Sequence, residues 1–471
     1  MTTETSAAPL PVRATHRMGP RSAFALQAAI SIAFLAASSA PTPLYAMYQS
    51  SMQLSKLLIT VIFAAYSIAL LVALLVVGAL SDYVGRRTVI IAALILELAA
   101  MIVFAVAGSS TELIAARALQ GLATGAATAA LAAGLTDLFP AKAPVMNSVA
   151  PILGMAAGAL GSAALTTVST FPTIEVFIVL AVLFAVLLIA AFRLPETAAR
   201  KPGALTSLAI RLTVPEAARG PLLTAAPMLV AIWAIGGFVL SLGPALVRAE
   251  TGSDSPLVGG WFVFALTISG AIAVVVMRSV APLKAFVIGG TALATGVGVL
   301  LLGVLSHQSV LLFIGAAIAG VGFGGGFQGA MRTIMPTAAP GERASPLATV
   351  YVISYLATSV PAIGAGMLAS SWGMTATAIT IGSAVIALAL VALASVLMRP
   401  RTAPLPAPST AYSTADIRRH DDRTALGSPA HRHAAIAATA THITTVIGTL
   451  RDLDLSDTPP SPTPITLENV R

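Results

Sequence analysis

The sequence predicts an all-α integral membrane protein, with twelve transmembrane helices in two pseudo-symmetric six-helix bundles. Three observations predict it. The 471 residues are 57% hydrophobic and only 9% charged. A soluble globular domain is about 25% charged, so this chain could not cover a water-exposed surface, and the bilayer must solvate most of it. Twelve stretches reach the ~20 apolar residues that a helix needs to cross the hydrocarbon core. Basic residues then recur in every other connection between those stretches.

In chain order the spans fall at 23–43, 57–80, 88–108, 111–138, 145–168, 174–194, 221–246, 256–277, 283–305, 309–335, 345–369 and 373–398. Backbone polar groups must be satisfied inside lipid, so segments of this length are helices. Barrel strands would be shorter and would alternate apolar with polar residues. The start has the outline of a secretory signal, with Arg13, Arg17 and Arg21 ahead of Ala23 to Ala37 and then Ser38-Ser39-Ala40. Further spans follow with no soluble domain between, so it reads as an uncleaved first helix. The longest internal connection, 195–220, carries Pro195, Pro202 and Pro215. It parts a bundle at 23–194 from one at 221–398, with a short segment 1–22 ahead. Residues 399–471 are rich in Pro, Ser and Thr and read as a disordered tail, with a transient helix at 430–450. His431 and His433 lie there without a pattern of acidic or cysteine partners, so no metal is expected.

Seventeen basic residues between Arg13 and Arg401 fall on one side of the predicted membrane, against Lys56 and Arg248 on the other. By the positive-inside rule the richer side is cytoplasmic, with both termini on it. The net charge of +8 therefore reports orientation, not nucleic-acid binding. The chain has no cysteine, which excludes disulfides and thiolate chemistry. Abundant alanine and arginine, with only Lys56, Lys142, Lys201 and Lys284 as lysines, fit a bacterial protein of high-GC origin in the cell membrane.

The connection between spans two and three is the run Gly78-Ala79-Leu80-Ser81-Asp82-Tyr83-Val84-Gly85-Arg86-Arg87. Gly78 would permit close backbone approach, and Gly85 a backbone of positive φ. Asp82 is an acceptor suited to a helix N-terminus, and Arg86 can fork to a carboxylate. A plain basic anchor would need none of this spacing. The run resembles the cytoplasmic signature of the major facilitator superfamily. Arg117-Ala118-Leu119-Gln120-Gly121, with Gly125 beyond, is similar to that family's second signature, and Leu194-Pro195-Glu196-Thr197 to its common exit from span six. The resemblance implies a latch: Asp82 facing the start of span eleven, where Ser345-Pro346 offers a cap and a first-turn proline, and Arg86 pairing with Asp137. Gly78, Asp82, Gly85, Arg86, Arg87 and Asp137 are thus the expected gate.

A faint internal echo supports two halves. Gly121 and Gly125 precede a loop with Pro140 and Lys142, and Gly320 and Gly324 precede one with Pro336 and Arg343. In span five, Gly154, Gly158 and Gly161 behind Pro151 partly resemble the family's antiporter signature, but Ala159, Ser162 and Ala163 depart from it. Small residues at this spacing also serve plain helix packing. In span eleven, Pro361 with Gly364 and Gly366 offers a flex point.

Arg117 lies about two turns inside span four. A charge at that depth is expensive and usually functional. The other reading is a side chain that snorkels to the outer surface. The resemblance implies proton transfer, as for the matching arginine of proton-coupled antiporters. Glu97, deep in span three, is either a proton-responsive carboxylate or a neutral hydrogen-bonded helix contact.

The resemblance also implies a cavity lined by spans one, four, seven and ten with help from two, five, eight and eleven. Its polar and aromatic candidates are Gln27, Ser31, Tyr66, Gln120, Trp233, Gln328, Tyr351 and Tyr355. Spans one, seven and ten hold no internal acid or base, so a neutral or amphipathic organic molecule is the expected cargo. Pro41-Thr42-Pro43-Leu44-Tyr45 should shape the external mouth. No phosphate-binding glycine loop, metal-ligand pattern or activated nucleophile stands out. The expected protein is a monomeric, cofactor-free, ion-gradient-driven transporter rather than an enzyme or ATP-driven pump. The leading expectation is proton-coupled efflux of a small organic compound. Import of a metabolite, or a non-transporting sensor of the same fold, are the alternatives.

Overall fold

A computed structural model of the protein describes residues 18–208, 216–337, 344–398 and 432–452. Twelve helices in it are long and apolar enough to cross a membrane. They are α1 (Pro20–Ser39), α2 (Lys56–Val77), α3 (Arg86–Val106), α4 (Ser110–Leu138), α5 (Ala143–Val168), α6 (Pro172–Ala191), α7 (Glu216–Thr251), α8 (Pro256–Val276), α9 (Pro282–Ser306), α10 (Ser309–Thr337), α11 (Ala344–Ser371) and α12 (Gly373–Leu397). Each sits on a predicted span. A further helix, α13 (His433–Asp452), belongs to a separate unit. Arg13, Arg17, Arg211, Arg343 and, in the proposed tail, 399–431 and 453–471 lie outside the described residues; the tail's described part, 432–452, is helical rather than disordered.

Three differences from the sequence reading have local causes. The first span was placed at 23–43, but α1 ends at Ser39. Pro41 and Pro43 cannot donate a backbone hydrogen bond, and the chain turns through 40–44 into a short helix, Tyr45–Ser51. Helix α7 outruns its predicted 221–246, with Pro221, Pro227 and Pro244 inside it; neighbouring helices make such prolines tolerable in a membrane. Helix α10 is interrupted by a π-helical turn at Gly322–Gly326, which helical periodicity gave no reason to expect.

Within the first half, α4 packs on α2 and α3, α1 on α5, and α6 on α3. Within the second, α10 packs on α8 and α9, and α7 on α11 and α12. The glycine echo marks equivalent crossings. A side chain at Gly121 or Gly125 of α4 would strike the Tyr66 or Leu70 carbonyl of α2; one at Gly320 or Gly324 of α10 would strike the Leu266 or Gly270 carbonyl of α8. Gly154 and Gly158 of α5 press on the Ile32 and Ala36 carbonyls of α1. The Ser39 hydroxyl donates to the Met155 carbonyl at 2.8 Å across the same crossing. The partial antiporter signature is therefore a packing face.

The halves meet along α2–α11 and α5–α8. We call the end of the molecule that carries residues 78–87 the turn end, and the opposite one the far end. At the far end, Gly366 of α11 sits on Thr60 and Leu57 of α2, Gly260 of α8 on Ala163 of α5, and Lys56 Nζ donates to the Ala369 carbonyl at 3.4 Å. Helix α6 turns Val179, Val182, Val186 and Ile189 outward, as a lipid-facing helix should.

Gly158→Val should lower the unfolding temperature in detergent or prevent accumulation, since overpacking against backbone costs ~1–3 kcal/mol or more. Gly161→Ala, which meets open space, should leave the melting curve unchanged.

Candidate functional site

Gly85 has φ +100° and ψ 143°, a conformation that resets the chain direction so that α3 can begin at Arg86. A side chain there would strike the Glu196 carboxylate. Glu196 Oε1 accepts from the Arg86 backbone N–H at 2.7 Å and the Ala198 N–H at 3.2 Å, placing a negative charge at the N-terminus of α3, where the helix dipole favours it. The Arg86 guanidinium donates to Ser81 Oγ at 2.7 Å, to the Asp82 carboxylate, and to Asp137 Oδ2 at 3.4 Å. Thr197 Oγ1 donates to the same Asp137 oxygen at 2.8 Å. Arg87 donates to the Phe192 carbonyl.

The structure thus brings Asp82, Gly85, Arg86, Arg87 and Asp137 together. It corrects one expectation. Gly78 makes no approach to a neighbouring helix through its Cβ position, whose nearest atoms belong to Leu74 one turn back in α2. Asp82 pairs with Arg86, and its side chain is 51% exposed. Pro346 does lie in the first turn of α11; the Ser345 side chain lies outside the described residues. Glu196 and Thr197 were missed as partners, although both stand in the quoted exit sequence.

A second cluster lies in the far-end half of the first six helices. Arg117 is completely buried, so the snorkelling reading fails. Its Nη1 donates to the Ser38 carbonyl and to Gln120 Oε1, each at 2.8 Å. Its Nε donates to Tyr45 Oη at 3.1 Å, and Nη2 reaches the same oxygen. The rings of Tyr66, Tyr45 and Phe104 lie 5.5, 5.6 and 5.9 Å from its guanidinium carbon, within cation–π range. Gln120 Nε2 donates to Glu97 Oε1 at 3.2 Å. Glu97 is fully buried, and its other oxygen has no partner among the described residues. Burial raises the Tyr45 and Tyr48 phenols above their ordinary range against the opposing charge of Arg117, which keeps Tyr45 a neutral acceptor. Ser38 and Tyr45 were also missed; Pro41–Tyr45 reads as a rigid mouth, but Tyr45 turns inward to Arg117.

The cavity candidates divide. Trp233 of α7 contacts Phe323 and Phe327 of α10 (centroids 5.7 Å apart in each case) and Tyr355 of α11 at 5.9 Å, with Tyr351 behind Tyr355 at 6.2 Å. Trp233 Nε1 and Ser354 Oγ are buried without a partner among the described residues. Tyr66 flanks Arg117, and its hydroxyl is buried. Gln27 is buried on Gly134 of α4, and Gln328 Nε2 donates to the Val274 carbonyl of α8 at 3.1 Å; the Oε1 of each is buried without a partner among the described residues. Ser31 is half-buried on α1. Among the described residues, no group of three or more His, Asp or Glu is placed to hold a metal ion.

The family model described as Major Facilitator Superfamily matches residues 27–283 of this chain. Among solved structures, the nucleoside transporter NupG aligns with a TM-score of 0.61, over 80% of this chain and 100% of that one, at 11% identity. At that identity the likeness is one of fold. No curated protein matches the sequence.

Tyr45→Phe should lower stability by ~1–3 kcal/mol, because it strips a buried guanidinium of the acceptor for two of its nitrogens. Thermal unfolding of the purified protein reads this, with Tyr83→Phe as the control.

Proposed function

The chain belongs to the major facilitator superfamily, and on that premise we propose that it is a proton-coupled secondary transporter that exports a neutral or amphipathic organic compound by alternating access. Family membership and twelve apolar helices support carriage of a small molecule across a bilayer. Coupling and direction are our reading. The single observation that supports it is the buried chain Arg117–Gln120–Glu97, in which one carboxylate oxygen has no partner. A carboxyl group in low dielectric binds a proton readily when neutral surroundings dominate, and releases it when a cation approaches.

Arg117 gives that proton a mechanical consequence. Its bonds to the Ser38 carbonyl and Tyr45 fasten the end of α1 and the following turn. A deprotonated Glu97 competes for the same guanidinium through Gln120, so proton release loosens the far end. Positive residues concentrate at the turn end, which we place in the cytoplasm, with both termini there. The structure then corresponds to a form closed on the outer side. Arg86 with Asp82, Asp137 and Glu196, all in the first half, is the charged cluster that would dock on the second half when the inner side closes, and the wall of Trp233, Tyr351, Tyr355 and Phe327 is the surface that meets substrate by stacking. Import of a metabolite by the same motion is the second reading; the aromatic wall would stack a planar metabolite as well as an exported compound.

Proteoliposomes with an imposed pH gradient and a panel of aromatic compounds test this. At least one compound should move protons as it moves. Glu97→Gln should abolish the proton flux, and Arg117→Ala should cut transport at least 100-fold, about 2.7 kcal/mol. Asp82→Asn should slow transport about tenfold, ~1.4 kcal/mol, with membrane insertion intact. If no compound moves and no proton flux appears, the reading is wrong.

A further inference from the structure

We propose that a groove at the turn end, between the start of α3 and the segment leaving α6, binds the phosphate of an anionic phospholipid. A cavity of about 730 Å³ opens there, lined chiefly by Arg87, Thr88, Ile91, Phe192, Glu196 and Arg200. It lies where two membrane spans end, Arg86 for α3 and Ala191 for α6. That is the depth of lipid headgroups.

The polar half of the groove is built for an oxyanion. Arg87, which lines the groove, commits one terminal nitrogen to the Phe192 carbonyl, and its other terminal nitrogen has no hydrogen bond among the described residues. Arg200 is exposed, and no hydrogen bond or ion pair occupies it among the described residues. Thr88 adds an exposed hydroxyl. The acid in the groove, Glu196, already serves the backbone N–H groups of Arg86 and Ala198. Two guanidiniums thus face one engaged carboxylate, which leaves an excess of positive charge. Guanidinium pairs bind phosphate oxygens through parallel N–H bonds.

The apolar half separates a lipid from a free ion. Phe192 is 54% exposed, and Ile95, one turn beyond Ile91 on the same face of α3, is 52% exposed. These side chains continue the groove into the hydrocarbon layer, where an acyl chain would lie. Inorganic phosphate would have no use for them. The cytoplasmic leaflet, where we place this end, carries the anionic lipids. The assignment of leaflet rests on the proposed orientation; the groove and its charges do not.

The test uses the full chain, purified free of added lipid. Thermal unfolding is followed while phosphatidylglycerol, phosphatidylcholine with the same acyl chains, or inorganic phosphate is titrated in. Phosphatidylglycerol should raise the unfolding temperature saturably, and the other two should not. Arg200→Ala with Thr88→Val should weaken the phosphatidylglycerol response about tenfold in midpoint concentration. Arg278→Ala, at the same end but outside the groove, should leave it unchanged. Equal responses to the two lipids, a full response to inorganic phosphate alone, or a wild-type midpoint in the double variant would each overturn the proposal. Both substituted residues are exposed, and unfolding without lipid reports whether the variant is folded.

Discussion

One guanidinium buried between helices dictates the arrangement around it. Moving a charge of this kind out of water costs several kcal/mol even after relaxation, so each side of Arg117 needs a partner. The sequence provides them from three places: the Ser38 carbonyl at the frayed end of α1, Tyr45 in the turn beyond it, and Gln120 one helical turn along α4. Gln120 in turn fixes Glu97 of α3. Three helices and a turn are thereby tied to a single charge. Arg86 at the turn end is the contrasting case. Its carboxylate partners are partly exposed, 51% for Asp82 and 34% for Asp137. Exposed ion pairs are worth roughly 0–1 kcal/mol each. A cheap pair can be broken and remade in a cycle, whereas the buried cluster must exchange one set of partners for another.

Packing is closest within each half of the molecule. Gly121 and Gly125 bring α4 onto the backbone of α2, and Gly320 and Gly324 bring α10 onto that of α8. Without a hydrophobic force between helices in lipid, such close contact is what holds them. These crossings make each half stiff. The halves meet chiefly along α2–α11 and α5–α8, which is the layout expected of halves that rock about a site between them.

Much of this was legible beforehand, for physical reasons. The bilayer imposes length and composition on each span, so twelve helices could be read directly, and the alternating charge fixed their parity. The 78–87 run announced a charged turn, because Gly85 and the charges around it have few other uses, and Arg86 does meet Asp82 and Asp137 there. Helical periodicity identifies a helix but not its rotation. Gln27 and Gln328 look like cavity residues by position, and the sequence could not say that one leans on Gly134 of α4 and the other donates to the Val274 carbonyl of α8. Tyr45 is 72 residues from Arg117 in sequence, and two prolines signal rigidity without naming the neighbour. Glu196 was visible as part of a motif, but its role depends on the space that Gly85 leaves for it. The π turn in α10 carried only a run of glycines as its signal, which also fits ordinary packing.

The absence of native cysteine makes the central claim directly measurable, because introduced cysteines take spin labels without background. One pair at positions 51 and 371 spans the far end, and another at 136 and 337 spans the turn end. The account predicts reciprocal changes: as pH is stepped, one distance lengthens while the other shortens, and Glu97→Gln freezes both in one arrangement at every pH. Distances that stay fixed in the wild-type background across the pH range, or that titrate identically with Glu97→Gln, would contradict it.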